Sequence, residues 1–264
     1  MLCPLLLLVG TALVAVPPAQ AAANDLFRPY TTTMPGSSPA AVAIGDLTGD
    51  GDLDAAVSST QGVQIYRPAG GALSYAWTVP AGDAQDVRLV DLDGDGRADL
   101  VADARDGVHV WWQGNGEFTA GPVLGTGSHV ETEVGDVTGD GLPDVVAATN
   151  AGVEVYAQQA GRAFAAAVGY DSGGTAPWTM VNGLAMGDTN EDGRADVHLS
   201  VGGNATNSWV VTRFQLSDGT LAKPYVRSSA DVPEALEAAD VTGDGRKDLL
   251  VVHSGWDRLG VNGR

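Results

Sequence analysis

The 264-residue sequence has one cysteine, Cys3, and only 14 Lys and Arg against 33 Asp and Glu. A lone cysteine leaves no disulfide framework and no cysteine-built metal cage. The formal net charge of -19 argues against a nucleic-acid or anionic-membrane partner, because a binder of phosphates needs clustered basic side chains. Cations are the more natural ligand. Helical periodicity is also scarce, and 36 glycines favour an all-β or repeat architecture instead. The sequence lacks G-x-S-x-G, H-E-x-x-H, C-x-x-C and a phosphate loop. Its four histidines, His109, His129, His198 and His253, stand singly in or beside strand-like stretches with no metal-ligand spacing.

The first 21 residues carry an apolar stretch from Pro4 to Val16, too short to span a bilayer, and end in Ala19-Gln20-Ala21, a small-x-small cleavage pattern. We read them as a secretory signal peptide; a retained N-terminal anchor is the alternative. Cys3 lies inside this segment ahead of the apolar stretch, which is the wrong order for a lipid anchor. The expected product is secreted or otherwise extracytoplasmic, at the cell surface or in a periplasm, without membrane insertion once the signal is removed. Such a chain, without disulfides, needs another staple.

Self-similarity supplies the architecture. Five stretches repeat one pattern: GDLTGDGDLD from Gly45, VDLDGDGRAD from Val90, GDVTGDGLPD from Gly135, GDTNEDGRAD from Gly187 and ADVTGDGRKD from Ala239. Their first aspartates are spaced by 45, 45, 52 and 52 residues, the period of a propeller blade. Between them lie short apolar or alternating stretches, four per unit, such as AAVAIGDL, LDAAVSS, GVQIYR and ALSYAWTV. The last unit has strand-like stretches near 234–241, 248–253 and 258–262 but no fourth, whereas Leu26 to Thr31 resembles a fourth strand without the first three. An N-terminal strand that completes the last blade would close the ring and remove its open edge. The expected fold is therefore an all-β propeller of five four-stranded blades, with a truncated seven-bladed ring as the alternative.

Numbered from its first Asp, each repeat has Asp at positions 1, 5 and 9 and Gly at 6. Such a loop can converge side-chain oxygens from positions 1, 3, 5 and 9 and a backbone carbonyl from 7, and the glycine permits the turn that swings that carbonyl inward. The candidate ligands are Asp46, Thr48, Asp50, Asp52 and Asp54; Asp91, Asp93, Asp95, Arg97 and Asp99; Asp136, Thr138, Asp140, Leu142 and Asp144; Asp188, Asn190, Asp192, Arg194 and Asp196; Asp240, Thr242, Asp244, Arg246 and Asp248. At position 7, where Asp52, Arg97, Leu142, Arg194 and Arg246 stand, only the carbonyl is meant. Hard oxygen donors suit calcium better than zinc or copper. Two carboxylates about 4 Å apart repel by roughly 4 kcal/mol at an effective dielectric near 20, so convergence without a cation opposes folding. Five divalent ions would bring the formal charge from -19 to -9. A plain Asp-Gly hairpin turn is the simpler reading of any one copy, but it does not call for Asp at three fixed positions in all five.

Position 12 is never Glu and the flanks alternate as strands, which sets an EF-hand aside. The loops with their context, AVAIGDLTGDGDLDAAV, resemble the FG-GAP or VCBS-type repeat family of integrin-α-like propellers, over about residues 26–264. The resemblance implies a propeller domain over 22–264 and a Ca2+ ion, up to five in all, in the loop between the first and second strands of each blade. Asp93 and Asn190 fit its ligand pattern at position 3; Thr48, Thr138 and Thr242 offer only a hydroxyl, so their sites should be weaker.

The longer fourth repeat contains YDSGGTAPWTMVNG and VGGNATNSWVV. Both connections should emerge on the face opposite the calcium loops, where Trp178, Asn204, Asn207 and Trp209 would form a patch for a protein or glycan. Ordinary loop residues and a blade-packing Trp are the plainer reading. Adjacent Trp111 and Trp112 should face opposite sides of their strand and pack between blades. The functional expectation is a calcium-binding, non-catalytic binding or adhesion scaffold; a secreted propeller hydrolase or lyase is the alternative, and a module of a larger surface protein is a third.

Overall fold

The computed structural model describes residues 38–173, 179–203, 208–229 and 232–254. Among them all regular structure is β, and no helix is long and apolar enough to cross a membrane. Sheet I comprises β1 (Pro39–Gly45), β2 (Asp54–Ser59), β3 (Gly62–Ala69) and β4 (Ala72–Val79), and sheet II β5 (Ala84–Val90), β6 (Asp99–Ala104), β7 (Gly107–Gly114) and β8 (Glu117–Leu124). In sheet III, β9 (Glu131–Gly135), β10 (Asp144–Thr149) and β11 (Gly152–Tyr156) pair in order, and β11 also pairs with β14 (Val168–Asp171). A short ribbon of β12 (Gln158–Gln159) and β13 (Ala163–Phe164) lies between β11 and β14 in the chain. Sheet IV holds β15 (Thr179–Gly187), β16 (Asp196–Gly203), β17 (Trp209–Arg213) and β18 (Tyr225–Ser228); β19 (Val232–Ala239) and β20 (Asp248–Ser254) form a two-stranded sheet V.

In sheets I and II the strands follow the sequence units closely, with neighbours antiparallel and consecutive. β19 begins two residues before the expected 234. The stretches 26–31 and 258–262, on which ring closure and the count of five blades rest, lie outside the described residues. First strands pack in succession, β1 on β5, β5 on β9, β9 on β15 and β15 on β19, with no comparable packing of β19 on β1. Val42 and Ile44 of β1 are exposed.

The second strands β6 and β10 are mainly apolar because both their faces are buried between sheets. Along β6, Leu100 and Ala102 enter the core shared with sheet I, whereas Val101 enters the core shared with sheet III. β10 repeats the division: Val145 and Ala147 face sheet II, and Val146 and Ala148 face sheet IV. Trp111 packs on the first of these cores and Trp112 is buried in the second, as alternation requires.

The first strands carry charge as well as apolar residues. Arg88 of β5 contacts Asp86 at 2.7 Å, Glu131 at 3.4 Å and Glu133 at 3.3 Å, the latter two on β9. Burial pushes the carboxyls of Asp86, Glu131 and Glu133 up, against the pull of Arg88. A raised folded-state pKa favours the fold at low pH, and that contribution is lost as pH rises through the raised value. Arg88 therefore offsets a penalty that is largest at neutral pH. Arg88→Gln is expected to lower stability by about 2 kcal/mol at pH 7, below the figure for a fully buried pair because the side chain is partly exposed. The loss should shrink at pH 5; urea denaturation at both pH values measures it.

Candidate metal-binding loops

The five acidic loops connect β1 to β2, β5 to β6, β9 to β10, β15 to β16 and β19 to β20, and we number them I to V. In each, the position-1 carboxylate turns back into its own loop. Asp46 accepts N–H bonds from Thr48, Gly49 and Gly51, Asp91 from Gly94, Asp95 and Gly96, and Asp136 from Gly139, Asp140 and Gly141. Asp188 accepts from Asp192 and Gly193, and Asp240 from Gly243, Asp244 and Gly245. The bond from Gly51 is the main cause that holds the Asp46 carboxyl below the usual range, and that from Gly245 does the same for Asp240. Position-6 glycines have φ between 82° and 89°, a left-handed conformation that side chains oppose.

Position 9 has a different task. Asp54, Asp99, Asp144 and Asp196 are fully buried at the start of their strands. Each accepts the position-2 amide through Oδ2: Leu47 at 3.1 Å, Leu92 at 3.0 Å, Val137 at 3.0 Å and Thr189 at 3.3 Å. In loops II, III and IV the other oxygen accepts a glutamine amide from the third strand or just beyond it: Gln113 at 2.7 Å, Gln158 at 2.9 Å and Gln215 at 3.1 Å. In sheet I the matching residue is Pro68, which has no N–H, and Asp54 Oδ1 has no hydrogen-bond partner. Arg67 Nε lies 3.5 Å from that oxygen. The side chain of Gln158 then reaches the preceding sheet and donates to Leu92 O at 2.9 Å. Burial pushes the Asp99, Asp144 and Asp196 carboxyls up despite these bonds.

In loops I, II and IV, position 5 points to arginine. Asp50 pairs with Arg67, Asp95 with Arg97, and Asp192 with Arg194 at 2.6 Å. The position-7 amides of Asp52, Arg97, Leu142, Arg194 and Arg246 donate back to the position-5 carboxylates, including Asp140 and Asp244. At position 3, Thr48 accepts from Arg67, and Asn190 bonds Asp192. The amides of Thr138 and Thr242 donate to Asp144 and Asp248. Among the described residues, only loop II brings three acidic side chains together: ligand oxygens of Asp91, Asp93 and Asp99 lie within 4.8 Å of one another.

Trp178, Asn204 and Asn207 lie outside the described residues. Trp209 opens β17 and packs, half-buried, on the core between sheets III and IV. The histidines have separate partners: His109 with Asp106, His129 with Asp103, His198 with Thr212 and His253 with Ser229. Burial pushes His198 down to about 4.

Sequence reasoning missed Arg67, Arg162 and the three glutamines. Gln113 and Gln158 each follow their position-9 Asp by 14 residues, so that signal was available in the repeat. Removing a buried acceptor strands its donors. Asp144→Ala, which leaves the amides of Val137, Thr138 and Gln158 unpaired, is expected to cost about 3 kcal/mol even in chelator, and Asp140→Ala less than about 1 kcal/mol. Urea melts in chelator compare the two.

An FG-GAP-like repeat family matches residues 46–102 and 136–199, the first spanning loops I and II and the second loops III and IV. No curated protein matches the sequence significantly. Among solved structures, BBS1N in complex with ARL6DN aligns with a TM-score of 0.54 at 15% identity, covering 86% of this chain and 63% of that one. The Dos1 propeller aligns at 0.52 and 12% identity, covering 77% and 51%. The extracellular domain of BT4673, a putative one component system of B. thetaiotaomicron, aligns at 0.53 and 17% identity, covering 85% and 26%. The chain thus spans less than two thirds of each of these proteins. At such identities the likeness shows the fold alone, a β-propeller.

Proposed function

From a chain built of FG-GAP-like repeats, we propose a calcium-stabilised propeller scaffold that is secreted after removal of residues 1–21, closes five blades within 22–264, and binds a protein or glycan without catalysis. The observation that carries the calcium reading is the convergence of Asp91, Asp93 and Asp99 in loop II. The donors fit a hard divalent ion. They are carboxylates on a short glycine-bearing loop, and burial of Asp99, with Asp93 and Asp95 as like-charged neighbours, disfavours its ionised form unless a cation compensates. In that loop Asp91, Asp93 and Asp99 would hold the ion, and loops I, III, IV and V would use the same positions with fewer carboxylates. The ion would supply cohesion between charges that otherwise repel.

The protein-or-glycan reading is supported by the absence of a catalytic motif in the sequence and by a scaffold of the kind seen in BBS1N, which was solved in complex with ARL6DN. Its expected surface is the face that carries the fourth repeat's longer connections, with Trp178, Asn204, Asn207 and Trp209. The hydrolase or lyase reading has one observation in its favour, the half-buried carboxylates of Asp86, Glu131 and Glu133 on the first strands. All three face Arg88, which they hold as a structural counter-charge, and this favours the scaffold.

Calcium at 100 times its dissociation constant stabilises the native state by about 2.7 kcal/mol per site. The expected outcome is a lower melting temperature in chelator and its recovery on adding calcium, read by scanning calorimetry. An unchanged melt would overturn structural calcium.

A further inference from the structure

Each described acidic loop that is followed by a complete sheet is met at position 3 by the turn between that sheet's third and fourth strands. In loop I the turn residue is Gly116, where a Cβ would lie 3.4 Å from Thr48 O. In loop III it is Gly219, where a Cβ would lie 2.6 Å from Thr138 O. In loop II it is Arg162, at the tip of the β12–β13 ribbon, and its guanidinium pairs with Asp93 and reaches Asp95 at 4.0 Å. Glycine thus meets threonine twice, and arginine meets aspartate once. Arg162 is held there at some cost, since its φ of 64° is left-handed in a residue with a side chain. Two further contacts seat it: the guanidinium lies 5.1 Å from the Trp112 ring centroid, and Phe164 stacks on that same ring at 6.5 Å.

We propose that Arg162 is a tethered counter-cation of loop II, which competes with the divalent ion for Asp93. The inference rests on the calcium reading above. A fixed positive charge on one of three converging carboxylates neutralises their repulsion when no metal is bound, and repels or must yield to a metal that arrives. Loop II, which alone has a carboxylate at each of positions 1, 3, 5 and 9, would then bind calcium more weakly than its ligands allow. Binding there would be coupled to release of the following sheet's ribbon. Loop III differs: no ion pair reaches Asp136, Asp140 or Asp144 among the described residues.

The test is calcium binding to the full chain, by calorimetric titration and by terbium luminescence, for which Trp112 is a sensitiser beside loop II. Arg162→Gly copies the other two turns and relieves the left-handed backbone; Arg162→Gln keeps the bulk without the charge; Arg162→Lys keeps the charge. We expect the Gly and Gln variants to tighten one class of site about tenfold, with the Lys variant close to wild type. Asp93→Asn added to either should abolish the gain. In chelator Arg162→Gln should melt below wild type, and saturating calcium should close that gap. Wild-type calcium binding left unchanged or weakened in both the Gly and Gln variants overturns the proposal and leaves the calcium reading standing. No binding by wild type or any variant overturns both.

Discussion

The buried carboxylate at position 9 is the interaction on which the other parts depend. Asp99 and Asp196 each take one amide from their own loop and Asp144 takes two, and all three take one from the third strand or just beyond it, so a single side chain fixes the loop against the ribbon formed by strands three and four. Gln158 carries the connection onward, with its backbone on Asp144 and its side chain on Leu92 of the preceding loop. Charge-assisted bonds of this kind are about twice as strong as neutral ones. They hold the loop in shape without a cation, while in loop II oxygens of Asp91, Asp93 and Asp99 still converge.

This division of labour explains why acidic residues gather beside strands that are buried on both faces. Position 1 organises the turn, position 5 takes an arginine in loops I, II and IV, and position 9 anchors the strand. The acceptor positions of these loops therefore have structural partners of their own within the fold. In loops I and IV, guanidinium already neutralises a charge that sequence counting assigned to a metal.

The sequence was informative wherever structure is local or repeats. The strands of sheets I and II, the position of every acidic loop and the opposed faces of Trp111 and Trp112 follow from period-two alternation and the fixed spacing of aspartates within each loop. What it hid was adjacency between units. Nothing near Asp93 in the chain announces Arg162, which lies 69 positions away and reaches the loop only because the following sheet's turn packs there. The outward turn of Asp50 toward Arg67 was hidden by the pairing of strands within sheet I, whereas Pro68 was visible as a break in a recurring glutamine whose role only the fold reveals.

The division of each second strand between two cores also governs how such a chain can change its length. One residue inserted into β6 would send Val101 to the sheet I side and Leu100 to the sheet III side, and so spoil two interfaces at once. Growth is then easiest in the connections, as in sheet III, where the β12–β13 ribbon lies between β11 and β14. Descendants of such a repeat are free to diversify at their turns and are held to a common measure within their strands.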